Sequence, residues 1–133
     1  MMATLRSRYR NVHAALVATS DRAITAACVR YGLVLMCEDV IVNGVLDGRP
    51  PLALSTWQAR TVMSELPPIA SRSERGAWAA RVRIDVAALR AYALAVYAAT
   101  DAYFARQPEP LPSGLTARVL SALLLNQRDL LTR

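Results

Sequence analysis

Lysine is absent from these 133 residues and histidine occurs once, at His13, so no site in the chain can draw on two imidazoles. Cysteine occurs twice, at Cys28 and Cys37. No Cys-x-x-Cys, His-x-x-x-His or Glu-x-x-His spacing exists, which excludes the common structural zinc sites. On a helix the two thiols stand about 13 Å apart along the axis, too far for a local disulfide, and they read as buried free thiols. Also missing is any run of about 18 apolar residues, so no segment can cross a membrane as a helix. The basic N-terminal stretch is followed by neither the apolar core nor the cleavage site of a signal peptide. The chain therefore reads as cytoplasmic, with no membrane partner. Strict alternation of apolar and polar residues is scarce, which argues against strands.

What is abundant is alanine and arginine. All sixteen basic residues are arginine, and the formal charge is +6. This bias suggests a GC-rich bacterial genome. A basic protein raises the question of nucleic acid, since clustered arginines neutralise phosphates. Here they are scattered, with local groups only at Arg6, Arg8 and Arg10 and at Arg72, Arg75, Arg81 and Arg83. No aromatic interleaving or helix-turn-helix spacing accompanies them, so they read as a solvated face without a nucleic-acid partner.

Apolar residues recur at three- and four-residue spacing along nearly the whole chain, which predicts an all-α fold. A first helix covers Val12 to Val17. Ser20-Asp21 caps or interrupts it before a longer helix through Ile24, Cys28, Leu35, Val42 and Leu46. Gly48, Pro50 and Pro51 end that helix. Ser55-Thr56-Trp57-Gln58 has capping-box spacing and predicts a short helix up to Pro67-Pro68. Ser71-Arg72-Ser73-Glu74 is a second box. It opens a helix of about 30 residues with Trp78, Val82, Leu89, Val96 and Tyr103 on one stripe. Ser113 is placed to cap the last helix, which carries Leu115, Val119, Leu123 and Leu130. These elements predict one domain over residues 1–133, a four-helix bundle with a short extra helix.

The stretch Cys37-Glu38-Asp39-Val40-Ile41-Val42-Asn43-Gly44, continuing to Gly48-Arg49-Pro50-Pro51, and the later Leu89-Arg90-Ala91-Tyr92-Ala93 resemble the DinB-like metal-dependent thiol-transferase superfamily. The resemblance spans most of the chain and implies the helical-bundle fold. It also implies a metal held by three histidines, at positions that look like Leu33 and, on the final helix, two among Val119, Leu123 and Gln127. Leucine and valine have no lone pair to offer, and glutamine is a poor ligand for Zn²⁺ or Ni²⁺. The expectation is a degenerate member that keeps the fold without the metal or any other cofactor.

Two functions remain open. One is a metal-free isomerase, cyclase or dehydratase, or a binding protein, for an apolar and cyclic small molecule of specialised metabolism. As an enzyme it would use Asp85 or Tyr92 for acid/base chemistry and Arg30 as charge stabiliser. Asp85 interrupts the apolar stripe between Val82 and Leu89, where burial would raise its pKa, although the favoured alternative is that it turns outward or pairs with Arg81. Cys37, Trp57, Asn126 and Gln127 are the candidate ligand contacts. Cys37 lies one turn after Leu33 and could instead fill space, and Trp57 and Trp78 could instead serve the core or an interface. Glu38 and Asp39 project about 100° apart and cannot act together on one substrate, so one is expected to tie its helix to an arginine. His13, without a nearby carboxylate in sequence, reads as a surface or core histidine and not a base. The other function is a non-catalytic pseudoenzyme, homodimeric through an alanine-rich face at Ala87, Ala91, Ala95 and Ala98.

Overall fold

The computed structural model describes residues 4–54, 62–68, 71–108 and 111–132, and among these all regular elements are helical. Thr4 accepts a hydrogen bond from the Ser7 amide at 3.1 Å and opens α1, Leu5–Val17. Ser20 caps α2, Asp21–Ala26, by accepting from the Ala23 amide at 3.2 Å. The long second helix expected from Ile24 onward is interrupted at Ala27, whose backbone leaves the helical region, and α3 then runs over Cys28–Glu38. It passes directly into a π-helical segment, Asp39–Leu46. Gly48, at φ 67°, takes the left-handed conformation that ends the helix, as its position before two prolines predicts.

A 3₁₀ turn follows at Leu52–Leu54. The capping box at Ser55 and Trp57 lies outside the described residues. The box at Ser71 does open a helix, its hydroxyl accepting from the Glu74 amide at 3.4 Å. That helix is not 30 residues long. It is divided into α4, Arg72–Arg81, and α5, Val86–Ala105, by an extended link. In the link Met63 and Ile84 form an isolated antiparallel bridge, with the Asp85 amide donating to Val62 at 2.9 Å and the Ser64 amide to Arg83 at 2.8 Å. The alternation Val82-Arg83-Ile84-Asp85-Val86 is the local cause, since β-branched residues suit an extended backbone. Finally α6, Leu115–Leu131, starts after Gly114, whose φ of 154° favours glycine, so Gly114 and not Ser113 holds the cap position. The all-α class holds, and among the described residues there are six α-helices and the π segment where four helices and a short extra one were expected.

The longer elements form a closed arrangement: α1 packs on α5 and α6, and α3 packs on the same two. The buried positions of α5, Leu89, Tyr92, Ala93, Val96, Tyr97, Thr100, Tyr103 and Phe104, repeat at three and four residues and give it one continuous inner stripe. Leu120, Leu123, Leu124 and Gln127 do the same for α6. Fully burying one such leucine contributes roughly 1.5–3 kcal/mol. Polar ties hold the outer edges. Arg6 and Arg10 both reach Asp101, at 2.9 and 2.8 Å, and join α1 to α5. Arg90 donates to the carbonyls of Val17 and Thr19 at 2.9 Å and so supplies positive charge at the C-terminal end of α1. None of the described helices is long and apolar enough to cross a membrane.

Candidate functional site

Two carboxylates sit in the middle of the apolar run of α3 and its π continuation, and both are fully buried. Glu38 receives one donor from each of the other three long helices. His13 Nε2 on α1 lies 3.1 Å from Oε1, Thr100 Oγ1 on α5 donates to Oε2 at 2.6 Å, and the Gln127 side-chain amide on α6 donates to Oε1. The imidazole is stacked on Tyr97 with ring centres 3.9 Å apart, and the Tyr97 hydroxyl meets that of Tyr31 at 3.2 Å. Asp39 turns to a different set of partners. It accepts from the Leu52 and Ala53 amides at 2.9 Å, from the Asn43 side chain at 2.8 Å and from the Tyr92 hydroxyl. The two acids diverge, as adjacent helical residues must, but the donors that hold them are neutral groups and an imidazole where an arginine was expected.

Three residues singled out in the sequence fall at different places in the fold. His13 is buried and is the partner of Glu38, although the two are 25 residues apart. Tyr92 is locked into the core by Asp39, and burial together with that carboxylate pushes its pKa up, away from acid/base use. Asp85 is exposed and caps α5, accepting from the Ala88 amide at 2.8 Å. Gln127 is buried as expected of a ligand contact, but its amide nitrogen serves Glu38, and Oε1 has no partner among the described residues. Asn126, beside it, is exposed. The proposed catalytic set Asp85, Tyr92 and Arg30 is therefore spread over a helix cap, the core and a groove rim.

That groove is the candidate site. It has a volume of about 970 Å³ and lies where α2, α3, α4 and the end of α6 meet. Its walls are small on two sides, with Ala23, Ala26 and Ala27 facing Gly76 and Ala79, so these helices cannot fill the space between them. Leu33, Val29, Ile24 and Leu130 make it apolar, and Trp78 is part of the lining. The Trp78 indole is 1% exposed, and its N–H donates to the Glu65 carbonyl at 2.9 Å, so its polar atom is already satisfied. Among the described residues that line it, the charged ones are Arg30 and Arg75. Arg30 is joined to Asp129 on α6. Tyr31 also lines the groove, with its pKa raised by burial. Cys37 is half-buried against the core and does not line the groove. Burial raises its thiol pKa, with Arg75 partly opposing the rise, which argues against a ready nucleophile.

The residues at the positions matched to metal ligands do not fit a metal. Leu33 lines the groove, Leu123 is in the core, Val119 packs beside it, and the Gln127 amide is committed to Glu38. Among the described residues no group of three or more histidine, cysteine, aspartate or glutamate side chains converges on a common point.

Sequence reasoning singled out Arg30, Leu33 and Trp78, which the groove brings together, and missed Arg75 and the small residues of α2 and α4. The one available signal for the Glu38 cluster was two adjacent acids inside an apolar run, which must find donors if buried. In comparisons with known proteins, no family model, curated relative or solved structure matches the chain.

Proposed function

We propose that the protein binds an apolar small molecule in this groove and does not transform it, as a metal-free relative of the DinB-like proteins that its sequence resembles. The single observation that carries the reading is the groove itself. Its volume of about 970 Å³ falls in the range of small-molecule sites, and its lining is predominantly hydrophobic with a few polar groups. Binding is favoured over turnover because the carboxylates and the imidazole described above lie elsewhere. Glu38, Asp39 and His13 are enclosed in the core, and Asp85 is engaged at a helix cap. Apolar ring systems would contact the wall made by Val29, Leu33 and Leu130, which suits a cyclic ligand.

Nile red, a neutral ring dye whose emission rises in apolar surroundings, tests the reading. The wild-type protein is expected to bind it with one dye per groove, and Ala79→Trp, which places an indole in the space, to lose it. An unchanged signal in Ala79→Trp, with the helical circular dichroism intact, would remove the groove from consideration.

A second reading, a homodimer, draws on the outer face of α5. Ala87, Ala91, Leu94 and Ala98 are exposed there, with Leu94 at 55%, whereas Ala95 is half-buried and shifts the expected stripe by one residue. Small side chains allow close helix approach. Sedimentation velocity on the wild type and Leu94→Arg checks it, and identical monomer profiles for both would dismiss it.

A further inference from the structure

We infer that Ile24 sets how long a ligand the groove accepts, by closing it off from a second apolar cavity into which the bound molecule would otherwise extend. The inference rests on the proposed binding function and adds a specificity-determining residue to it. A side pocket of about 110 Å³ lies between the end of α1, α2 and α5, where Val17, Ala93 and Leu94 line it. Among the described residues that line the two spaces, the groove and this pocket share Leu16, Ile24 and Tyr31, so these three side chains form the partition.

The three are not held alike. Leu16 stands on α1, which packs on α5 and α6, and it is fully buried. Tyr31 belongs to α3, and its hydroxyl meets that of Tyr97 in the core at 3.2 Å. Ile24 is buried as well, but every other residue of α2 is exposed, so this six-residue helix presents one side chain to the interior. The polar ties of α2 lie at its outer edge, where Asp21 pairs with Arg90 at 3.2 Å and Arg90 also holds the Val17 and Thr19 carbonyls at 2.9 Å. On the α2 side the partition is therefore one branched apolar side chain, and shortening it joins the two spaces without breaking any of these ties. A ligand that fills the groove meets this side chain at the wall. Any further methylene stays in water, whereas with the partition removed it enters an apolar cavity, where burial is favourable.

Displacement of Nile red by para-alkylphenols from butyl to nonyl, neutral ring molecules that differ only in tail length, tests this. In the wild type each added methylene is expected to tighten binding by roughly fourfold until the tail meets Ile24, and longer tails should gain nothing more. In Ile24→Ala the rise should continue into the longer tails, so that nonylphenol binds the variant about tenfold or more tightly than the wild type while butylphenol binds both alike. Ile24→Val, a smaller truncation, should give a lesser gain of the same sign and carries the test where Ile24→Ala loses its helical circular dichroism. Ala93→Leu, which fills the side pocket from α5, should cancel the gain in either background. A break at the same tail length in the wild type and the Ile24 variants, or no break in any of them, would overturn the role of Ile24. A gain that survives Ala93→Leu would overturn the side pocket as the place where the tail goes. Absence of Nile red binding to the wild type would count against the groove itself, and the inference would fall with it.

Discussion

His13 and Glu38 meet inside the core with imidazole Nε2 and carboxylate Oε1 3.1 Å apart, the histidine 7% exposed and the glutamate not at all. Removing one partner of such a buried pair leaves the other without its donor or acceptor, which is more costly than the net worth of the bond. Glu38→Ala, which strands donors on three helices, is expected to destabilise the protein by about 3–5 kcal/mol, and His13→Ala by less. In urea denaturation the double variant should lose clearly less than the sum of the two single losses. Simple additivity would show that the two side chains are not coupled.

Asp85 is expected to matter for stability and not for ligand. Its carboxylate accepts from the Ala88 amide at the start of α5. Asp85→Ala should cost about 1 kcal/mol, whereas Asp85→Asn, a comparable cap, should be nearly neutral. Neither should alter Nile red binding. A loss of ligand binding in Asp85→Asn at unchanged stability would return this residue to the site.

All five tyrosines have pKa values raised above the ordinary phenol value, burial being the largest cause in each. Below a pH of about 10 both the folded and unfolded chains keep these protons, and the folded state is unaffected. Above it the unfolded chain releases them while the folded one does not, so stability falls as pH rises. Phenolate absorbance should stay low past pH 10 and then appear together with the loss of helical circular dichroism. Smooth ionisation of several tyrosines in a still-folded protein would contradict the burial described here.

At the acid end, Asp101 is held well below the usual carboxylate range by the Arg6 and Arg10 guanidiniums. Its contribution is present above the unfolded aspartate value of about 4 and is lost as pH falls below it toward the depressed folded value. Asp101→Asn is expected to flatten this part of the stability curve. Thermal midpoints measured from pH 6 down to pH 2 should converge for wild type and variant, and curves that stay parallel would discount the Arg6–Asp101–Arg10 tie.

What the sequence by itself determined are relations that span one turn of helix. The three- and four-residue apolar spacing made the chain helical, Ser20 and Ser71 capped helices where their side chains reach an amide three residues on, and Gly48 before Pro50 closed one. Even the break in the fourth helix was written locally, in the alternation around Ile84, although it took the pairing of Met63 with Ile84 to make it decisive over helical periodicity. Tertiary structure decided everything that depends on how helices face each other. Glu38 found its partners 25, 62 and 89 residues away, because the rotation of α1, α5 and α6 about their axes brings one polar side chain from each to the same point. The groove has the same origin. Alanines and a glycine on α2 and α4 are unremarkable in sequence, and only their opposition across α3 leaves a space that no side chain fills, since a void is a property of two surfaces and neither one alone encodes it.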